Sequence, residues 1–220
     1  MAIILDAMGS DSYPSPELEA AVLVRRTMGE ELILVGKQEL LEARFKELFP
    51  AEKPLHIVDA PDIVEMTDKP VESARKKPNN SMAVGLNMVK NGEAEAFVTA
   101  GNTGAAFFNA VNILRRMEHI SRPALAAILP VEHAKAIFMD TGANADCRPE
   151  FLLEFAIMGS VYAEKALGIN SPRVALLSNG EEAGKGNQLV KDAFPLLANS
   201  GLNFYGNAEP KEVYAAKVDV

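Results

Sequence analysis

Short apolar runs alternate along this chain with stretches whose apolar residues recur at helical spacing. The runs Ala2–Leu5, Glu31–Val35, Leu55–Val58, Ala94–Thr99, Ala124–Leu129, Ala134–Met139, Val174–Leu177 and Asn203–Tyr205 are short and mainly apolar, and they predict strands. The intervening segments Pro16–Met28, Lys37–Leu48, Ser81–Asn91, Thr103–Arg116, Glu150–Leu167 and Asn187–Asn199 predict helices. In Lys37–Leu48, for instance, Leu40, Leu41, Phe45 and Leu48 form one stripe among charges, as a helix on the outside of a sheet requires. Pro149 suits a first helical turn and Gly168 a C-terminal stop. Regular strand–helix alternation predicts a single α/β domain over residues 1–220, with a mostly parallel sheet and helices on both faces. Two features depart from that rhythm. The runs within Ala124–Met139 are separated only by Pro130-Val-Glu-His133, which predicts a hairpin or another antiparallel step. Ala215–Val220 reads as the opening of a further strand, so a longer domain is expected.

Composition narrows the class. The chain has 220 residues, 48% hydrophobic and 24% charged, enough to bury a core and too apolar for a disordered segment. No apolar run reaches the ~18 residues of a membrane span, and the N-terminus lacks the basic start and long apolar core of a signal peptide. The lone Cys147 offers no internal disulfide, which fits a reducing cytoplasm. A net charge of −8 argues against general nucleic-acid binding. Arg25-Arg26, Arg75-Lys76-Lys77 and Arg115-Arg116 are local basic clusters, each readable as solvated surface or as a dock for an acidic macromolecule.

Candidate chemistry sits in four turns that follow strands. In an open α/β sheet, ligands gather beyond the carboxyl ends of the strands. The most distinctive turn is Ser178-Asn-Gly-Glu-Glu-Ala-Gly-Lys-Gly-Asn187. There Lys185 stands between Gly184 and Gly186 just before a helix, a composition suited to a phosphate or another small anion. It is not a nucleotide P-loop: three residues separate Gly180 from Gly184, and Gly186 stands where Ser or Thr would hold magnesium. Thr99-Ala-Gly-Asn-Thr-Gly104 offers Gly101, Asn102, Thr103 and Gly104 at another helix start. Asp6-Ala-Met-Gly-Ser-Asp11 and Asp140-Thr-Gly-Ala-Asn144 add carboxylates, with Asp6, Asp140 and Asn144 as candidates. Each turn alone reads equally as a glycine turn with a capping side chain. Together on one sheet edge they are expected to converge on one cleft.

Other chemistries fit less well. A single Asp-Thr-Gly cannot supply the paired carboxylates of an aspartic protease. Cys147 has no histidine pattern to activate it. His56, His119 and His133 show no metal-ligand spacing, and no dinucleotide fingerprint is present, so neither metal nor cofactor is expected.

Taken together, the stretches LDAMGSD (Leu5–Asp11), VEMTDKPVESARKK (Val64–Lys77), AFVTAGNTGA (Ala96–Ala105), RPALAAILP (Arg122–Pro130), DTGANADCRPE (Asp140–Glu150), MGSVYAEKALGI (Met158–Ile169) and PRVALLSNGEEAGKGN (Pro172–Asn187) resemble the bacterial phosphate acyltransferase family of phospholipid synthesis. They follow the family's order over nearly the whole chain. Ser10 stands where the family usually has a second glycine. The family also continues past the position of Val220, with a glycine- and asparagine-rich active-site segment and C-terminal helices associated with dimerisation and membrane contact.

The resemblance implies transfer of a fatty acyl group from acyl carrier protein to inorganic phosphate, on a sheet like that of the isocitrate/isopropylmalate dehydrogenase group. It implies a cytoplasmic homodimer, with peripheral membrane contact in the full-length form. Lys185, Asn102 and Asn187 are then the catalytic candidates. Gly101, Thr103, Gly104, Gly184, Gly186, Asp6, Asp140 and Asn144 are substrate-binding candidates. Phe107, Phe108, Val111 and Leu114 are candidates for an acyl slot, although core packing suits them as well. A nucleotide-linked dehydrogenase or kinase and a non-catalytic scaffold for carrier protein or membrane are the alternative functions.

Overall fold

A computed structural model describes residues 2–220; Met1, the first residue of the sequence, lies outside them. Two compact units make up the chain, Met1–Arg115 and Arg116–Val220. No helix among the described residues is long and apolar enough to cross a membrane.

The first unit is built on β1 (Ile3–Asp6), β2 (Leu32–Gly36), β3 (His56–Asp59) and β4 (Ala96–Val98). They form a wholly parallel sheet in the order β3-β2-β1-β4. Because successive strand residues face opposite sides, one sheet serves two cores. Leu34 points toward α1 (Ser15–Met28) and α2 (Gln38–Leu48), where Leu18, Val22, Leu41 and Phe45 pack. Ile4 and Val35 point the other way, beneath Val84, Met88 and Val89 of α4 (Ser81–Lys90). Leu41 and Phe45 of the expected stripe are buried, while Leu40 is exposed. Helices therefore cover both faces of this sheet. A short α3 (Pro70–Lys76) and α5 (Thr103–Ile113) complete the unit.

The second unit contains a hairpin, β5 (Ala126–Val131) and β6 (Ala134–Met139), then α6 (Pro149–Leu167), β7 (Val174–Leu177), α7 (Gln188–Ala198), β8 (Phe204–Ala208) and α8 (Pro210–Tyr214). The antiparallel step expected between Ala124 and Met139 is present, and His133 takes φ 56° in its two-residue turn. β7 and β8 pair in parallel across α7. Val174, Leu176, Ala193, Leu197 and Ala156 form the core, closed by an edge-to-face pair of Phe194 and Phe204 with centroids 5.2 Å apart.

Several boundaries differ from expectation. α5 stops at Ile113 rather than Arg116, and Arg115 already has φ 71°, a left-handed backbone that no helix continues. α3 and α8 were not expected at all; both are too short to show periodicity, and both start at a proline. Ala215–Val220 does not open as a strand. A turn follows α8, and the chain then bonds to β6 and β7, the carbonyl of Asp219 accepting from Ile137 N–H at 2.8 Å and that of Val220 from Ala175 N–H at 2.9 Å.

Candidate functional site

In the first unit the strand order reverses between β1 and β4, the switch point at which open α/β sheets form a crevice. Asp6 ends β1 and is only 1% exposed. Its carboxylate accepts from Met8 N–H at 3.0 Å and from the Thr99 hydroxyl at 2.7 Å. Thr99 Oγ1 in turn accepts from Gly101 N–H at 3.0 Å. The two turns approach backbone to backbone. A Cβ on Gly101 would lie 3.0 Å from Gly9 Cα, and one on Gly9 would lie 2.8 Å from Gly101 N, so both positions require glycine. The first and second turns are thus brought together.

Asn102, 8% exposed, caps α5: its Oδ1 accepts from Ala105 N–H at 3.0 Å. Its amide donates to the carbonyls of Glu65, Met66 and Asp68 at 3.3, 3.2 and 3.0 Å. The side chain is therefore occupied at both ends in holding the 65–68 segment against the helix start. The N–H groups of Thr103 and Gly104 have no partner among the described residues. Segment 63–68 is braced further by Lys77, which donates to the Ile63 carbonyl at 2.6 Å and pairs with Asp68. That pairing holds the Asp68 carboxyl below the ordinary carboxylate range. Segment 64–67 and residues 8–11, with Tyr13, line a cavity of about 380 Å³. Asp11 and Glu65 are its charged groups, so this cavity alone does not favour an anion.

In the second unit, Asp140 organises the third turn. Its carboxylate accepts from Leu125 N–H at 2.8 Å and from Asn144 N–H and Nδ2 at 2.8 and 3.2 Å. Asn144 Nδ2 also donates to the Pro123 carbonyl at 3.0 Å. Burial, with Asp140 and Asp146 adding to it, pushes the Cys147 thiol up, which keeps it protonated and passive. Asp140, Asn144 and Cys147 border a mainly apolar cavity of about 230 Å³ that also touches Leu177 and Val190; Lys185 does not line it.

The Lys185 turn joins β7 to α7. Asn179 Oδ1 accepts from Gly186 N–H at 3.0 Å, Lys185 N–H donates to the Glu182 carbonyl at 2.9 Å, and Asn187 Oδ1 caps α7 through Val190 N–H at 3.0 Å. Gly186 has φ 93°, a conformation that disfavours any side chain. Gly180 is buried, and a Cβ there would lie 2.8 Å from Lys185 Cγ, so the lysine stem folds over the glycine. Gly184 faces open space and carries no such demand. Lys185 is exposed and forms no ion pair among the described residues. Of the neighbouring acids, Glu181 is drawn to Lys211 at 3.1 Å. The result is a glycine-shaped loop with a free cation ahead of a helix, able to hold a small anion.

Sequence reading missed three contributors: segment 63–68 as the load on Asn102, Asn179 as the staple of the Lys185 turn, and Asn207 on β8, described below. Asn179 alone had a local signal, an Asn directly after a strand in a glycine turn.

A parallel sheet with its order reversed at β1/β4, and glycine turns at the carboxyl ends of its strands, defines an open α/β fold with its crevice at the switch point. Solved structures share this fold over most of the chain. The EutD phosphotransacetylase from Staphylococcus aureus aligns over 100% of this chain and 74% of its own, with a TM-score of 0.67 and 20% identity. A branched-chain phosphotransacylase from Enterococcus faecalis V583 aligns over 93% and 66%, with a TM-score of 0.57 and 16% identity. The family described as "Fatty acid synthesis protein" matches residues 1–220. Phosphate acyltransferases of Herpetosiphon aurantiacus and Koribacter versatilis are 44% and 45% identical over 97% and 100% of the chain. The chain belongs to the phosphate acyltransferase family, and it spans 58% and 63% of the length of those two relatives.

Proposed function

We propose that this chain carries the phosphate-binding part of an enzyme that moves a fatty acyl group from acyl carrier protein to inorganic phosphate, forming acyl phosphate for phospholipid synthesis. The two units are read as portions of one longer α/β domain of the isocitrate/isopropylmalate dehydrogenase type, cytoplasmic and homodimeric, with peripheral membrane contact in the full-length form. One observation carries the reading: Lys185, without an ion-pair partner among the described residues, is held on a glycine loop at the start of α7 in a member of this family.

Phosphate is itself a nucleophile toward a thioester, so no acyl-enzyme is needed. A phosphate oxygen adds to the carbonyl carbon, the tetrahedral oxyanion collapses, the C–S bond breaks, and the departing thiolate takes up a proton. The protein supplies position and charge. Lys185, with Gly180, Gly186 and Asn187 shaping its loop and Gly184 leaving open space beside it, holds the anion. The unpartnered N–H groups of Thr103 and Gly104 are suited to an oxyanion or a phosphate oxygen. Asn102 acts by fixing that helix start, with Gly101 giving the close approach to the Asp6 turn. Asp6 and Asp140 hold their turns in shape, since carboxylates repel phosphate, and Asn144 braces the Asp140 turn through its amide. Arg75, Lys76 and Arg115 are exposed and suit an acidic carrier protein, whereas Lys77 is spent on Asp68 and the Ile63 carbonyl.

The test is release of carrier thiol from long-chain acyl carrier protein, with and without phosphate, by this chain and by a form extended to its relatives' length. Phosphate-dependent release is expected from the extended form. Lys185→Ala should lower turnover by about 10²–10³ and raise the half-saturating phosphate concentration. Unaltered phosphate kinetics in Lys185→Ala would refute the lysine's role. Carrier affinity that does not weaken with added salt would refute the basic dock.

A further inference from the structure

Asn207, on β8, is only 2% exposed, lies far in sequence from the Lys185 turn, and yet reaches into it. Its Nδ2 donates to the Glu182 carbonyl at 2.8 Å. That carbonyl also accepts from Lys185 N–H at 2.9 Å, so one oxygen joins the buried amide to the backbone of the cation-bearing residue. The residue after Asn207 repeats the tie, the Ala208 carbonyl accepting from Ser178 N–H at 2.9 Å where the loop leaves β7. Asn207 Oδ1, by contrast, is buried and has no partner among the described residues. A buried amide with one end unmatched disfavours folding, and an apolar residue of similar size would suit a strand better. Packing therefore does not account for an asparagine here; its grip on the loop does.

We propose that Asn207 is a positioning residue for phosphate, acting through the Glu182 carbonyl to hold the Lys185 turn in its anion-binding shape. This rests on the reading of that turn as the phosphate site. Beyond a register shift at Val174/Ala175, β8 pairs with β7 with Asn207 opposite Leu176 and Ala208 opposite Leu177, so the sheet sets the loop's geometry through Asn207, and the loop need not be ordered by the anion itself. Removing the amide leaves Lys185 and its charge in place but lets the 182–185 turn sample other shapes. Phosphate binding then weakens by about the worth of one hydrogen bond, fivefold to tenfold.

The experiment is amide hydrogen exchange and titration with inorganic phosphate on the full chain, unmodified and as Asn207→Ser and Asn207→Asp. Asn207→Ser keeps a small polar side chain that cannot span the gap. Asn207→Asp keeps the shape but replaces the donor with an acceptor facing the Glu182 carbonyl. In the unmodified chain the Asn207 carboxamide protons and the Lys185 and Gly186 amides should exchange slowly. In both variants those two amides should exchange at least tenfold faster while the β7 amides hold, and the phosphate Kd should rise fivefold to tenfold. Fast carboxamide exchange in the unmodified chain, which needs no variant to fold, overturns the proposal. So does a loosened turn with an unaltered phosphate Kd. An unmodified chain indifferent to phosphate would instead overturn the parent reading of the turn, even with Asn207 shown to hold it.

Discussion

Replacing Asn102 separates a residue that does chemistry from one that holds the site together. Its Oδ1 caps α5, worth about 1 kcal/mol. Its amide has two hydrogens shared among the carbonyls of Glu65, Met66 and Asp68, and so counts as roughly two further bonds of about 1 kcal/mol each. Asn102→Ala should therefore destabilise the first unit by about 3 kcal/mol. Asn102→Ser keeps a capping oxygen and should cost about 2 kcal/mol. For a unit of this size, Tm should fall by roughly 10–15 °C in the alanine variant. Thermal unfolding by circular dichroism gives the magnitude. Hydrogen exchange locates it, with loss of protection expected in α5 and in segment 63–68. Turnover in the extended form should be compared well below the lowered Tm. If Asn102→Ala melted within about 2 °C of the unmodified protein and lost only phosphate-dependent turnover, the amide would serve the ligand directly and the holding role would be wrong.

Two other perturbations test the geometry. Arg173 donates to Asp219 through Nε and Nη2 at 2.9 and 2.8 Å, which holds the Asp219 carboxyl below its ordinary range. A pKa lowered by folding adds stability above the unfolded value of about 4, and that stability disappears as pH falls through the folded value. Because the Arg173 side chain is 43% exposed, solvent screening limits the pair to about 1 kcal/mol. Asp219→Asn should lower Tm at pH 7 and flatten the acid limb of Tm against pH; an unchanged acid limb would discard the pair as a stabiliser. Gly101→Ala would bring Cβ within 3.0 Å of Gly9 Cα and 2.7 Å of Met82 Cε. Methionine can move but backbone cannot, so a loss of about 1–3 kcal/mol is expected, read as a fall in the urea midpoint. A neutral result would mean that the Asp6 and Asn102 turns do not touch.

Much of this protein follows from local rules. Ala134–Met139 and Val174–Leu177 were legible to the residue as strands because their apolar runs are bounded by turn residues. The turn signals at Gly101, Asn102, Lys185 and Asn187 were legible because glycine and capping side chains act on their own neighbourhood. α3 and α8 escaped notice because a helix of one or two turns shows no period, although Pro70 and Pro210, each followed two residues later by Glu72 and Glu212, were start signals in plain view. What each polar group does was not legible. Asp6 meets Thr99 across 93 residues, and Asn102 reaches back 34 to Asp68. Asn207 reaches the Lys185 turn from a strand 25 residues beyond Glu182. Sequence by itself determined the longer helices, most of the strands, the glycine turns and the family, because those depend on residues within a turn or two of each other. Tertiary structure alone decided the β3-β2-β1-β4 order and the partners of each buried amide and carboxylate, because pairing between strands and closure of distant loops depend on the summed packing of the whole unit.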